Sequence, residues 1–580
     1  MSYRKTLAAL TAAIFMTAAC APVQDGLWAS FSPLAYEADG PAYDAATQYR
    51  NPVLPGFYPD PSICRVGDDY WMTNSCFQYF PALPVWHSTD LIHWEQVGSV
   101  LDSDSKIQFR ERMMEFGTFA PQISYNPHNS KYYVVCTQIE GDLGNFFCTS
   151  DDPRLGWSDP IRLPEVDGID PSFFFDEDGT AVITSATSPE NGGGKGRYPG
   201  DGAIVMREFD WRTGKTVGAP HIAAQSGARP ELEPKSLEGP HIYKVDGKYF
   251  LMCAEGGTER SHSEVIFESE SLRGLFKPCA INPILTQRDQ IPGRPDPVSC
   301  TGHADLVQSA AGNWYAVFLG CRPYVGEETF NTGRETFLLP VSWKDGQPVI
   351  LPAGESVPLV VDVPAELLKL AKANKIKGFD GYAPGPLWSA EGLAPFALTV
   401  RGSQEANTSF APDGTMRLKC AGVPLDALGR PAAVFERITS ATFRAETVME
   451  FEPVLGSEAG LICWHDDDHY MKLSKTLGAD GKPVLRLEKR DSKRNSELYC
   501  LLFHRPESSI DYSIDVPLEG EAASEPLTLR VEAVDATHYV FSYAVGKGPF
   551  VAVGEPLDGV ALSTMTCGGF QGAMVGVFAL

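Results

Sequence analysis

Three carboxylic acids and one histidine stand at the heads of a pattern that the chain repeats. Asp60, Asp170 and Glu238 each head one copy, and His303 heads another. If these side chains converge, they can perform general acid and base catalysis, in which one carboxyl group donates a proton and another accepts one. An acid before proline also caps turns, so any single copy would favour a structural role. Three acids at equivalent heads together favour a site.

The repeated pattern is an apolar run, a polar turn and a second apolar run. The short aromatic and β-branched runs, separated by turns such as Asp-Gly-Thr, predict strand–turn–strand units. The second copy starts at Ala120, and the copies are 60, 50, 69 and 64 residues apart, which leaves room for about four strands each. We therefore predict a five-bladed β-propeller. The first strand of each propeller blade lines the central channel, so the four heads would meet there.

Composition limits the classes of protein and partner. The chain has 580 residues, of which 43% are hydrophobic and 21% charged, so two or more globular domains are expected. The net charge of −26 argues against a nucleic-acid partner, because phosphate binding needs clustered Lys and Arg. A neutral substrate is compatible with this charge.

The N-terminus predicts export. Arg4 and Lys5 precede an apolar stretch that is too short to span a bilayer. This stretch leads to Thr17-Ala18-Ala19-Cys20, which resembles a bacterial lipobox. We predict a lipoprotein signal over 1–20, a tether over 21–50, and a periplasmic or cell-surface lipoprotein whose one membrane contact is a lipid on Cys20. Ordinary signal-peptidase cleavage nearby is the alternative.

The second half predicts a different all-β domain. We place the propeller at 51–345, a Pro- and Gly-containing linker at 346–378, and a β-sandwich at 379–580, where short alternating strands dominate. The run His465-Asp466-Asp467-Asp468-His469 suggests a metal site, but a polar hairpin turn is the preferred interpretation. The scattered cysteines lack zinc-site spacing and favour buried free thiols.

An ordered set of motifs resembles glycoside hydrolase family 43, in its β-xylosidase and α-L-arabinofuranosidase branch with a C-terminal jelly-roll (concanavalin-like) β-sandwich. The motifs are Gly56-Phe57-Tyr58-Pro59-Asp60-Pro61-Ser62, Gly168-Ile169-Asp170-Pro171-Ser172, Glu238-Gly239-Pro240-His241-Ile242-Tyr243, Gly302-His303-Ala304-Asp305-Leu306-Val307 and Thr332-Gly333-Arg334-Glu335-Thr336-Phe337. The resemblance implies that Asp60 is the general base, Glu238 the general acid, and Asp170 the group that orients the acid and adjusts its pKa. Inverting hydrolysis of a glycoside needs such a protonated and ionised pair.

The resemblance also implies four residues that contact the substrate. His303 would lie at the channel centre, where it could help hold a metal ion or water, although a buried structural histidine is an equal alternative. Arg322 would bind the sugar, Trp86 would stack on it unless it belongs to the core, and Phe119 stands where the family usually has tryptophan. We predict no protein metal ligands and no required cofactor, with a structural calcium ion left open.

The function expected from the resemblance is an inverting exo-glycosidase that releases xylose or arabinofuranose from plant-polysaccharide oligosaccharides. An arabinofuranosidase that removes side chains and a non-catalytic carbohydrate-binding surface protein are the alternatives. Fructosidases and phosphorylases are also propellers, but the first blade lacks Asn-Asp-Pro-Asn-Gly and a phosphorylase would need a basic phosphate pocket.

Overall fold

The structure, a computed structural model, describes residues 26–326, 328–373, 376–492 and 507–580. The predicted signal over 1–20, with Cys20, and the first residues of the predicted tether lie outside these ranges. No helix in the described ranges is long and apolar enough to cross a membrane. The chain forms a five-bladed propeller followed by a two-sheet sandwich, as the sequence predicts.

Each blade is an antiparallel sheet built from consecutive strands. The first blade contains Ser62–Val66, Asp69–Thr73, Ala82–Ser88 and Glu95–Leu101. The second contains Gln122–Asn126, Lys131–Ile139, Gly144–Ser150 and Ile161–Arg162, with Gly117–Thr118 beside it. The third contains Ile169–Phe175, Ala181–Thr187, Ala203–Asp210 and Lys215–Gln225. The fourth contains Glu238–Val245, Lys248–Glu255, Ser263–Ser269 and Lys277–Pro278, with Leu285–Thr286 beside it. The fifth contains Ser299–Gln308, Trp314–Cys321, Glu335–Lys344 and Gln347–Val349.

The first strands of neighbouring blades touch all the way round, including the first strand of blade five against that of blade one. Buried apolar clusters fill the spaces between the blades. Asp305 helps to close the ring, because its carboxylate accepts from Ser62 Oγ at 2.7 Å and from the Ile63 amide at 2.9 Å. All five predicted hairpins are present, and their first strands surround one channel.

The sandwich consists of two antiparallel sheets around one apolar core. The larger sheet contains Thr408–Phe410, Met416–Lys419, Trp28–Phe31, Ala35–Ala38, Phe443–Glu450, Leu527–Ala533, His538–Val545, Val551–Ala552 and Leu557–Asp558. The smaller sheet contains Ala433–Arg437, Met574–Ala579, Ala459–Asp466, His469–Leu477, Pro483–Ser492 and Ser508–Pro517. Within the described ranges, the α-helices are Ala365–Ala373, Glu521–Ser524 and Thr564–Cys567, and the 3-10 helices are Pro189–Gly192, Pro230–Leu232, Glu405–Asn407 and Gly559–Leu562.

The predicted tether is part of the fold. Trp28–Phe31 pairs with two strands of the larger sandwich sheet, and Ala35–Ala38 pairs with one of them. Gln48–Arg50 pairs with Val360–Asp362 from the predicted linker. The prediction of a tether over 21–50 is thus wrong from Trp28 onward. The mixed composition with Pro and Gly does not indicate strands, and the partners of these short strands lie hundreds of residues away in the sequence.

The predicted linker over 346–378 is also ordered where it is described. Its first strand, Gln347–Val349, completes blade five, and its helix Ala365–Ala373 buries Leu367 and Ala371 against the propeller. Glu366 on this helix accepts hydrogen bonds from Ser309 and Asn313 of blade five. The segment between the two domains therefore packs against the propeller before the sandwich begins.

The two domains share a packed interface. Thr399–Val400 pairs with Tyr79–Phe80, which lies between strands of blade one, and joins the two domains by backbone hydrogen bonds. Arg437 of the sandwich donates to the Phe57 carbonyl at 2.7 Å, and its guanidinium lies 3.9 Å from the centre of the Tyr58 ring. These contacts lie just before Asp60 in the chain, so the sandwich supports the segment that carries the expected general base.

Candidate active site

The predicted heads meet in one cavity at the propeller axis. The cavity has a volume of about 70 Å³, and its walls come from all five blades and from one loop of the sandwich. It is lined by Asp60, Phe77, Phe119, Ala120, Ile169, Asp170, Glu238, Thr258, His303, Arg334 and Phe570. The three acids and the histidine are therefore brought together, as their repeated positions predict.

Local backbone geometry turns these side chains inward. Asp60, Asp170 and His303 have φ values of 51°, 52° and 50°, in the left-handed region that residues other than glycine rarely adopt. The pairing register shifts after Ile169 and after Glu238, so the first strands of blades three and four both carry a bulge at their heads. Bulges redirect side chains beside active sites, and strained conformations concentrate there.

Asp60 is held as an ionised carboxylate. Its Oδ1 lies 2.7 Å from Arg334 Nη1, and its Oδ2 accepts from Ser75 Oγ at 2.5 Å. Burial acts to raise the pKa of Asp60, but the charges of Arg334 and His303 and the hydrogen bond from Ser75 outweigh burial and lower the pKa below its ordinary value. An ionised carboxylate is the form that a general base needs.

Glu238 has the opposite environment. Burial raises its pKa well above the ordinary value, and the nearby charges of Asp170 and Asp60 raise it further. Burial, with the charge of Asp60, also raises the pKa of Asp170 to about 7, although the Gly239 amide donates to Asp170 Oδ2 at 3.1 Å. These surroundings favour the protonated form of Glu238, which is the form that a general acid needs. Paired carboxyl groups with pKa values pushed apart mark an acid and a base.

Arg334 is a residue of the site that was not among the candidates named from the sequence. It is 4% exposed, and only its Nη1 is engaged with Asp60, whereas its Nε and Nη2 have no hydrogen-bond partner in the described part of the chain. Buried donors are rarely left unsatisfied in native proteins, so these two donors are available to a water molecule or a ligand at the cavity. Its place in the motif Gly333-Arg334-Glu335-Thr336 is the sequence feature that could have identified Arg334 as a site residue.

An aromatic group forms one wall of the cavity. Phe119, which we expected at the substrate, lies with its ring centre 5.2 Å from that of Phe77 and 6.0 Å from that of Phe570. The Arg334 guanidinium lies over the rings of Phe77 and Phe570, at 5.6 and 5.5 Å from their centres. Phe570 belongs to the sandwich, so the catalytic cavity is completed by the second domain.

Arg322 does not line this cavity. It forms a bidentate ion pair with the fully buried Glu335, with both distances 2.7 Å, and donates to the Thr439 carbonyl of the sandwich at 2.7 Å. The expectation that Arg322 binds the sugar is corrected to a structural role between the domains. Arg334, twelve residues later, lies beside Asp60, the expected general base.

Trp86 is a core residue. It is fully buried within blade one, and its ring packs edge-on against Tyr58 at 5.1 Å and Tyr382 at 5.0 Å. No face of the indole reaches the cavity, so the expectation that Trp86 stacks on the sugar is corrected. Its position on the strand Ala82–Ser88 directs it into the packing between the propeller and the segment after the linker.

His303 faces the base at the channel centre. Its Nδ1 lies 3.6 Å from Asp60 Oδ1, and burial lowers the pKa of His303 to about 4, so its imidazole is neutral at neutral pH. A β-carbon on Gly239 would come within 2.9 Å of His303 Nε2, and Gly239 has a φ of 58°. Glycine is therefore required beside Glu238 for the histidine to approach.

The acidic run in the sandwich forms a hairpin turn, as preferred from the sequence. Ala459–Asp466 and His469–Leu477 are paired strands. The Asp466 carboxylate contacts the imidazoles of His465 and His469, and Asp467 pairs with Arg401. The eleven cysteines in the described ranges are free thiols and ten of them are buried, which agrees with the role as small apolar residues.

Comparison with known proteins supports the same assignment over both domains. Residues 49–348 match the model of glycosyl hydrolases family 43, and residues 390–580 match that of the beta xylosidase C-terminal concanavalin A-like domain. A Butyrivibrio fibrisolvens protein named xylosidase/arabinosidase is 33% identical, over 91% of this chain and 95% of its own length. A Bacteroides ovatus protein named non-reducing end alpha-L-arabinofuranosidase BoGH43B is 30% identical, over 92% of each.

Solved structures agree with these relatives. The crystal structure of a GH43_12 protein retrieved from a capybara gut metagenome has a TM-score of 0.83 and 34% identity, and covers 96% of this chain and all of that one. A xylan beta-1,4-xylosidase from Bacillus halodurans C-125 has a TM-score of 0.76 and 27% identity, and covers 92% and 96%. The family model covers more than half of the chain and its relatives span both domains, so this chain belongs to glycosyl hydrolases family 43.

Proposed function

We propose that the protein is an inverting, exo-acting glycoside hydrolase that releases xylose or arabinofuranose from the non-reducing ends of oligosaccharides. The observation that carries the proposal is the opposite surroundings of Asp60 and Glu238 within one small cavity, where Arg334 pairs with Asp60 and burial beside two other carboxyl groups raises the pKa of Glu238. A non-catalytic binding protein would have no need to favour the ionised form of one buried carboxyl group and the protonated form of another, and the raised pKa of Glu238 costs folding free energy at neutral pH.

The chemical step follows from these two states. Glu238 donates its proton to the oxygen of the leaving group as the glycosidic bond breaks, and Asp60 takes a proton from the water that attacks the anomeric carbon from the opposite face. The configuration at that carbon inverts. The protons balance, because Glu238 becomes ionised and Asp60 protonated until solvent restores both. The step needs one water molecule and no cofactor, and the structural calcium ion left open by the sequence stays a prediction.

The sugar class rests on the relatives and on the walls of the cavity. The free Nε and Nη2 donors of Arg334 suit sugar hydroxyl groups, and the aromatic wall suits the apolar face of a sugar ring. Relatives that span both domains are named xylosidase/arabinosidase and arabinofuranosidase. A xylose or arabinofuranose residue at a non-reducing end is the substrate unit that we infer.

Paired aryl glycosides test the proposal. The purified protein without residues 1–20 should hydrolyse an aryl β-D-xylopyranoside, an aryl α-L-arabinofuranoside, or both, and NMR should show the product first in the anomeric configuration opposite to that of the substrate. Asp60→Ala protein is the blank. If neither glycoside is cleaved faster than by the blank while xylo-oligosaccharides still bind, the carbohydrate-binding alternative replaces the proposal.

We also propose that the protein is exported and lipid-anchored through Cys20. The support is the sequence pattern from Arg4 to Cys20 alone. Cells that express the full chain should incorporate labelled palmitate into it, and Cys20→Ala should abolish the label. Label retained in Cys20→Ala protein, or absent from the parent, would contradict the anchor.

A further inference from the structure

A second and larger cavity lies between the two domains. Its volume is about 630 Å³, against about 70 Å³ for the catalytic cavity. Its walls come from the strands and loops of 33–41, from 50–55 beside the propeller, from 380–386, and from the sandwich strand Ala433–Arg437. Ligand cavities of soluble proteins have volumes of about 300–1,000 Å³ and favour domain interfaces, so this cavity has the size and the place of a binding site.

A buried carboxyl group stands in the wall of this cavity, and one of its oxygens has no hydrogen-bond partner among the described residues. Glu436 lines it and is 5% exposed, and its Oε1 has no hydrogen-bond partner among the described residues. Burial raises the pKa of Glu436 to about 8. The group is therefore mostly neutral near pH 7, where it can donate one hydrogen bond and accept others. A carboxyl group kept in this state costs folding free energy, which a bound ligand would offset.

The other charged residues of the lining have both signs, so the walls favour no ion of one sign. They are Arg50, Arg322 and Arg437, and Glu37, Asp39 and Asp380. Arg322 lies at the cavity, but its charge is balanced by the buried Glu335. Tyr36 lines the cavity beside it, and one face of its ring is stacked on Phe443 at 5.7 Å. Flat apolar faces come from six prolines of the lining. These are Pro33, Pro41, Pro52, Pro55, Pro384 and Pro386.

We propose that the cavity between the domains is an accessory saccharide site, in which Glu436 exchanges hydrogen bonds with ring hydroxyl groups and the tyrosine and proline faces pack on the sugar. The identity of the sugar as a segment of the same pentose oligosaccharide rests on the proposed function. Such a site would hold an oligosaccharide on the enzyme independently of the catalytic cavity, because none of the residues that line the catalytic cavity lines this one.

Binding stoichiometry tests the site. Asp60→Ala protein, which should not hydrolyse its ligand, is titrated with xylotriose in a calorimeter, alone and combined with Glu436→Leu or with Arg334→Ala. We expect two sites in the parent, with the second weakened about tenfold or more by Glu436→Leu, since a buried hydrogen-bonding group is lost. Glu436→Gln, which keeps a donor and an acceptor, should bind within a few-fold of the parent.

The outcomes separate this proposal from the proposed function. If the titration shows a single site that Arg334→Ala removes and Glu436→Leu leaves unchanged, the accessory site is overturned and the catalytic proposal stays intact. If the titration shows a single site that only Glu436→Leu removes, the accessory site is supported and the result counts against the proposed substrate. Absence of binding to either site would overturn both. Hydrolysis of an aryl glycoside should be unchanged by Glu436→Leu, and Tm without ligand should stay equal or rise, because an unpaired buried carboxyl group is removed.

Discussion

Arg334 Nη1 lies 2.7 Å from Asp60 Oδ1, while the other two nitrogen groups of this guanidinium have no protein partner among the described residues. One side chain thereby does two things. Its charge favours the ionised form of Asp60, the proposed base, and its two unpaired donor groups are available to a ligand at the cavity. These two effects can be separated by mutation.

Arg334→Ala should lower kcat/KM by about 10²- to 10³-fold, as does the loss of a preorganised donor in other enzymes. The acid limb of the pH profile should move to higher pH, because the pKa of Asp60 rises when the positive charge is removed. Arg334→Lys keeps the charge and loses the fork of donors, so it should raise KM while leaving the acid limb nearly in place. An unmoved acid limb in Arg334→Ala would contradict the role.

Arg322 provides the matched control for Arg334. Arg322→Met leaves the buried Glu335 without its ion-pair partner and should cost roughly 3 kcal/mol of unfolding free energy, measured by denaturant titration. The pH profile of the remaining folded enzyme should keep its acid limb. A shift like that of Arg334→Ala would return Arg322 to the active site.

Asp170 should control the alkaline limb. The charge of Asp170 helps to raise the pKa of Glu238, so Asp170→Asn should lower that pKa. Glu238 must be protonated to act as an acid, and the alkaline limb of kcat/KM should therefore move to lower pH. A pH-rate profile with an aryl glycoside measures the shift. An alkaline limb that stays fixed or moves upward would show that Asp170 does not set the pKa of the acid.

The same substitution should change how stability depends on pH. The pKa of Asp170 is raised from 3.8 to about 7 on folding, so this group contributes stability below pH 4 that is lost as pH rises to about 7. The Asp170→Asn variant does not lose this stability as pH rises. Its unfolding free energy, relative to the parent, should therefore grow between about pH 4 and pH 7 and then level off. A difference that is constant over this range would contradict the raised pKa.

The substitution Phe570→Ala tests whether the sandwich contributes to the substrate cavity. Phe570→Ala removes a ring that contacts Phe77, Phe119 and the Arg334 guanidinium, so KM for an aryl glycoside should rise by about tenfold, the scale of a lost aromatic contact. Leu455→Ala in the same domain, where Leu455 is 77% exposed, should change neither KM nor Tm. Equal kinetics for the two variants would place Phe570 outside the substrate site.

The repeated hairpins made the propeller and its acids predictable, because each unit is local and an axial head recurs once per blade. Tertiary partners were not predictable in the same way. The strands at Trp28 and Ala35 read as a tether because their partners are near Met416 and Phe443. Trp86 and Arg322 looked functional by residue type, yet one packs in the core and the other pairs with Glu335. Arg334 stood in a recognised motif, but only the structure shows its contact with Asp60.

The central claim is that Glu238 donates the proton and Asp60 activates the water, and leaving-group dependence tests it most directly. Single-turnover rates of Glu238→Ala and Asp60→Ala are measured on aryl glycosides of falling leaving-group pKa and on a natural oligosaccharide. Glu238→Ala should lose about 10²- to 10⁴-fold on the oligosaccharide and recover most of its rate on the best leaving group, which needs little protonation. Asp60→Ala should be slow on all substrates. Equal losses by the two variants at every leaving group would contradict the assignment.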